Sequence, residues 1–185
     1  MKIHIFGASG SGVTTTGEAL SEKLNIQYFD SDVYFWEPTD PPFTLKKNPE
    51  ERNSKIKSAL ENSENWILGG SIFEWGNEVF PDFDLVIFLW IPSEIRMERL
   101  RKREFERYGN VIYTEPGSIK QFEEFINWAA DYDANTGIAS RNIEAHENWL
   151  KTIKSPVLKI TEDLTVTQRI ELILEKIKLE KIRIL

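Results

Sequence analysis

A chain of 185 residues is long enough for one domain with a full core and short for two. Its formal net charge of −7 argues against a nucleic-acid surface, which needs a basic face, and the absence of cysteine rules out disulfides, thiolate-held zinc and thiol catalysis. With 41% hydrophobic and 29% charged residues it has the balance of a soluble globular protein, and its six Trp promise a core and pockets rich in flat side chains.

In chain order, Lys2 to Phe6 predicts a strand that the glycine-rich stretch GASGSG ends. His4 falls inside that strand and reads as structural, so with only His146 besides it a Ser-His-Asp arrangement has little to start from. Val13, Gly17, Leu20 and Leu24 then recur at helical spacing. Ile26 to Phe29 predicts a second strand ending at Asp30 and Asp32, with Tyr34 and Trp36 in the loop that follows and an ordered, Pro-rich loop from Glu37 to Phe43. Pro49 to Asn62 predicts a charged surface helix, and Trp66 to Leu68 a third strand stopped by Gly69-Gly70. Leu85 to Ile91, continuous and apolar, predicts a strand covered on both faces. Pro92 stops it, and Ser93 is an N-cap candidate for the next helix. Helices over Ser118–Tyr132 and Ser140–Ile153, a strand over Pro156–Ile160 and an amphipathic helix over Val166–Ile182 complete the chain.

Strands alternating with helices predict a parallel sheet between helical layers, a three-layer α/β/α sandwich, in one domain over residues 1–185. No repeat or linker divides it. KIHIF enters a strand at once, and the longest apolar run is far too short to cross a bilayer. The expectation is a cytoplasmic protein with no signal peptide, no membrane contact and no nucleic-acid partner, as a monomer or homodimer.

Ligands of an open parallel sheet bind at the carboxyl ends of its strands, where GASGSGVTTTG lies. Gly7, four residues and Gly12 have the spacing of a phosphate-binding loop, followed by the hydroxyl of Thr14. Such a loop binds anions through backbone N–H groups and a helix N-terminus, neither of which depends on the side chain at position 13. Thr14 is the expected magnesium ligand, and Gly7, Ser9, Gly10, Ser11, Gly12, Val13, Thr14 and Thr15 are the expected nucleotide-binding residues. Val13 stands where such loops carry lysine. Losing that point charge weakens binding, and weakens transition-state stabilisation more, by about 2–4 kcal/mol on the scale of other deleted electrostatic donors.

GASGSGVTTTG, FDSD, WILGGS and FDLVIFLWIPSEIRMERLRKRE together resemble the small P-loop kinases, a group including shikimate, gluconate and adenylate kinases. The resemblance is nearest to adenylate-kinase-related or AAA-type ATPase-like proteins, a branch in which the loop lysine is often absent. It covers Lys2 to about Ile177. It implies the P-loop nucleoside triphosphate hydrolase fold, with five parallel strands and a mobile helical lid at about residues 96–120. It also implies transfer of the terminal phosphoryl group of ATP, with Mg2+, to a small-molecule acceptor.

Asp30 and Asp32 sit where shikimate-kinase-like enzymes keep a D-x-D pair. Asp32 is the catalytic candidate and Asp30 an acceptor-site or magnesium-side group, with a capping aspartate as the plain alternative. Gly70 and Ser71 resemble an acceptor-site turn of the G-G-G kind, with Ser71 a departure from it; a tight turn is the alternative. No acid of the Walker-B kind ends that strand, so magnesium would rest on Thr14, water and the FDSD carboxylates. Arg96, Arg99, Arg103 and Arg107 share a helix face where P-loop kinases keep lid arginines. Arg99 and Arg103 are the catalytic candidates among them, against the alternative of a salt-bridged surface helix. Arg141 matches a further returning arginine, with an ordinary surface arginine as the alternative, while Tyr34 and Trp36 with Phe73 and Trp75 offer flat walls for an acceptor, with core packing as the alternative. The absence of an N-K-x-D motif favours ATP over GTP. The two functions left open are a small-molecule phosphotransferase acting on a nucleotide, nucleoside or other hydroxyl compound, and a nucleotide sensor with little or no turnover.

Overall fold

The computed structural model describes residues 1–76 and 79–181. Its strands are β1 (Lys2–Gly7), β2 (Gln27–Asp30), β3 (Trp66–Gly69), β4 (Leu85–Leu89) and β5 (Val157–Ile160), all parallel in the order β2-β3-β1-β4-β5. The helices are α1 (Val13–Leu24), α2 (Ser31–Phe35), α3 (Pro49–Glu61), α4 (Ser93–Tyr108), α5 (Val111–Thr114), α6 (Pro116–Ala134), α7 (Ile143–Leu150) and α8 (Val166–Leu179). The result is the α/β P-loop fold expected from the sequence.

The apolar runs have a simple physical reason. Every residue of β4 is buried, and the period of two sends its side chains to two cores. Leu85, Ile87 and Leu89 join Ile3, Ile5, Leu20, Ile170 and Ile173 on the α1/α8 side. Val86 and Phe88 join Phe6 and Leu150 on the other. Truncating a side chain as enclosed as Ile87 to alanine costs about 2–5 kcal/mol. His4, fully buried, stacks on Phe6 and Phe83 and meets the edge of Trp149, which fits its structural reading.

Several boundaries differ from expectation for local reasons. The residues after β2 form the short helix α2 rather than a loop, because the Asp30 side chain accepts the N–H of Asp32 at 2.9 Å and caps it. Helix α4 has Pro92 at its N-cap, and Ser93 is its first residue. The helix expected from Ser140 starts at Ile143, because Asn142 accepts the N–H of Ala145 and the preceding turn wraps round Asp131. Helix α8 begins on a capping box made by Thr165 and Gln168, while Ile182 lies outside the described residues. Among the described residues no helix is long and apolar enough to cross a membrane.

Candidate functional site

The carboxyl ends of β1, β2 and β3 open into a cleft of about 1410 Å3. That exceeds the roughly 300–1,000 Å3 of a pocket for one small ligand, so the cleft has room for two. The phosphate loop forms one wall. Gly10 and Gly12 have φ of +82° and +91°, the left-handed backbone that glycine adopts without strain. Gly12 is the N-cap of α1, no side chain caps that helix, and its first turn carries no acid, so its N–H groups are open to an anion. Thr14 and Thr15 are exposed along this wall, whereas Ser11 is fully buried and Val13 packs against the α1/α8 core.

The arginines of α4 part company. Arg96 is fully buried, donates to the carbonyls of Ser9 (3.3 Å) and Ile91 (3.3 Å), and pairs with Asp133. It therefore braces the phosphate loop and is pinned to the body, although it begins the segment expected to form the lid. Arg99, Arg103 and Arg107 line the cleft. Arg99 donates to Asp163 at 2.7 Å, and Arg103 and Arg107 flank the buried Glu104 at 3.0 and 3.5 Å. Arg107 also lies over the Phe43 ring, 4.7 Å from its centroid, joining α4 to the Pro-rich loop.

Asp30 does two jobs: it caps α2, and its Oδ2 accepts from the Thr14 hydroxyl at 3.5 Å. The Asp32 carboxyl stands open in the cleft. Lost water from the surrounding walls and the nearby charge of Asp30 push it above the usual carboxylate range, while Arg141, Arg103 and Arg107 pull the other way. Among the described residues no cluster of three His, Cys, Asp or Glu could cage a metal. Thr14 and Asp30 are nevertheless hard oxygen donors beside the anion nest, which suits magnesium, an ion that keeps most of its waters and binds chiefly to phosphate.

The far end of the cleft is aromatic and cationic. Phe35, Trp36, Phe73, Trp75 and Trp128 line it. Three cations surround the Phe35 ring: Lys46 at 5.6 Å, Arg52 at 5.6 Å and Arg141 at 5.9 Å from its centroid. Arg52 also lies 4.0 Å over Trp75, and Arg141 lies 5.4 Å over Trp128. None of the three forms an ion pair with a described carboxylate. Gly70 and Ser71 reach this region, whereas Tyr34 packs against the core beside it.

A buried polar chain runs beneath Ser71. Its hydroxyl lies 3.1 Å from His146 Nε2, and Tyr132 Oη lies 2.9 Å from His146 Nδ1. Burial, aided by the charges of Arg141 and His4, holds His146 down to about 3, so it is neutral at pH 7. Serine and histidine thus do meet, with tyrosine as third member, 75 residues apart in sequence.

Sequence reasoning missed Lys46, Arg52, Trp128, this chain and Arg169. Arg169 is 3% exposed, lines the cleft and donates from Nη1 to the Ser11 carbonyl at 2.7 Å. Arg52 carried a faint signal as an arginine on the one face of α3 that holds Ile56 and Leu60. Nothing in one dimension links residue 169 to residue 11.

The AAA domain family model matches residues 3–115, more than half of the chain. The chain is 43% identical over 173 residues to an uncharacterised protein of Bacillus subtilis (strain 168), YqaC, covering 94% of this chain and 95% of that one. It is 34% identical over 115 residues to a cytidylate kinase of Methanosphaera stadtmanae, covering 56% of this chain and 64% of that enzyme, less than two thirds of its length. The crystal structure of shikimate kinase from Aquifex aeolicus superposes with a TM-score of 0.53 at 20% identity, covering 96% of each chain, a likeness of fold alone.

Proposed function

The chain belongs to the AAA domain family, among the small P-loop kinases, and on that premise we propose that it transfers the γ-phosphoryl group of ATP to a small anionic acceptor with a flat ring, a nucleoside monophosphate first among them. The observation that carries this reading is the ring of Lys46, Arg52 and Arg141 round Phe35, walled by Trp36, Trp75 and Trp128. Cations with no described carboxylate partner, of which Arg52 is buried, Arg141 half-buried and Lys46 exposed, suit an anion, and aromatic faces suit a base or ring. The cytidylate kinase likeness favours the same acceptor class.

In this reading the loop N–H groups and the α1 terminus bind the β- and γ-phosphates. Thr14, with Asp30 behind it, would hold Mg2+, which supplies charge neutralisation on the phosphates. An acceptor oxygen attacks the γ-phosphorus as the bond to the β-phosphate oxygen breaks, leaving ADP and the phosphorylated acceptor. Asp32 orients the attacking group, taking its proton where that group is a hydroxyl. Arg103 and Arg107, a turn apart on α4, face the charge that develops in transfer, and Arg99 stands on the nucleotide side. The part of the lid that moves begins beyond Arg96, within a single domain. Val13 supports a second reading, a nucleotide sensor that turns ATP over slowly or never.

A screen of ADP release with MgATP and a panel of nucleoside monophosphates, nucleosides and hydroxy acids separates the two. Release above the acceptor-free rate with a monophosphate, and a KM for that acceptor raised tenfold or more in Arg141→Gln, is the expected result. ATP binding with no acceptor-dependent release across the panel would leave the sensor.

A further inference from the structure

Two guanidinium groups and one carboxylate meet beside the phosphate loop. Arg169, in the second turn of α8, donates to the Ser11 carbonyl at 2.7 Å and stands 3.5 Å from the Thr16 hydroxyl. A Cβ built on Gly12 would lie 2.5 Å from the same Nη1. Arg99, reaching over from α4, donates to Asp163 Oδ1 at 2.7 Å, and that oxygen is 3.8 Å from Arg169 Nη2. Two positive groups share one negative group, so the trio carries one uncompensated positive charge. Arg96, bonded to the Ser9 carbonyl, differs because Asp133 matches its charge.

We propose that Arg169 is a positioning residue that supplies from α8 what the loop lacks at Val13. It acts in two ways. In a trans peptide the carbonyl and the following N–H point in opposite directions, so holding the Ser11 carbonyl turns the Gly12 N–H to the side away from Arg169. Arg96 does the same for the peptide that ends in Gly10. The second effect is charge: buried against the loop, the guanidinium raises the potential at the nest without touching a phosphate. Asp163 moderates that charge by sharing itself between Arg99 and Arg169. Val13, packed against the core, is left free to be apolar. The inference rests on the reading that this site binds MgATP.

The two partners of Arg169 give a test in which a merely structural role and a charge role differ in sign. The full chain and its Arg169→Gln, Arg169→Lys and Asp163→Asn variants are titrated with MgATP by calorimetry at fixed ionic strength, with thermal melts as a check on folding. Arg169→Gln should weaken binding about tenfold or more, Arg169→Lys should weaken it less, and Asp163→Asn should tighten it about twofold to fivefold by freeing charge. Val13→Lys should restore affinity to Arg169→Gln while adding little to the parent. Weakening by Asp163→Asn as well as by Arg169→Gln, or an equal gain from Val13→Lys in both backgrounds, overturns the inference and leaves MgATP binding standing. A parent that does not bind MgATP overturns both. Because the Asp163→Asn result has its own sign, the test stands even if Arg169→Gln fails to fold.

Discussion

Two buried histidines should make this protein lose stability between pH 7.5 and pH 5, well above the range where carboxylates titrate. Burial lowers His4 from 6.5 to about 4 and His146 from 6.5 to about 3, each against smaller opposing or added effects. Both are lowered, so the unfolded chain binds protons that the folded chain refuses. The stability they lend is complete above pH 6.5 and is lost as the pH falls below it. Down to pH 5 the folded residues stay neutral, and the loss depends only on the unfolded value. At 1.5 units below 6.5 each histidine costs about 2 kcal/mol, and the pair about 4 kcal/mol, a large share of the roughly 5–15 kcal/mol that holds a domain together. Asp30 and Asp32, raised by lost hydration, work in the opposite direction at lower pH. Urea unfolding at both pH values, on the parent and on His4→Phe/His146→Gln, isolates the histidine part. The parent should lose about 4 kcal/mol more than the double variant between the two pH values. Equal losses in the two proteins would refute the reasoning.

Other expectations follow from the site. Asp32→Ala should abolish acceptor turnover while leaving MgATP affinity within a few fold, and surviving turnover would remove Asp32 from its role. Asp131 accepts from the Thr136 N–H and hydroxyl and from the N–H groups of Ile138 and Ala139, so it holds the turn that presents Arg141. Asp131→Ala should therefore lower the melting temperature and raise the acceptor KM with little change in MgATP affinity; an unchanged acceptor KM would separate that turn from the site. His146→Phe, which breaks the contacts to Ser71 and Tyr132, should alter acceptor KM more than MgATP affinity, measured in the same assay.

The sheet was legible because its signals are local. LVIFLWI is apolar on both faces, which a strand inside a parallel sheet requires, and the glycine spacing before Thr14 marks the first strand–helix junction. Helix α2 was not legible, since five residues are too few to show a period and it depends on a cap by Asp30 that reads equally well as a catalytic acid. The cleft divides in the same way. Thr14, Asp32, Ser71 and the α4 arginines lie in segments with their own motif, whereas Arg169 is a single arginine in an amphipathic helix, and its loop contact is 158 residues away. Arg52 shares its helix face with Ile56 and Leu60, a faint sign of an inward arginine, but that pattern does not tell that it lies over Trp75. Contacts of that kind belong to the packing of whole elements, and the sequence near either partner does not announce them.

The claim on which the rest depends is that a phosphate loop without its lysine still grips a nucleotide. Calorimetric titration of the natural chain with MgATP, beside Val13→Lys, addresses it directly. Micromolar binding by the natural chain is the predicted result, since the loop N–H groups, the open α1 terminus and the bracing arginines are all present. Binding by Val13→Lys alone would contradict it, and the natural loop would then be a relic of a nucleotide site.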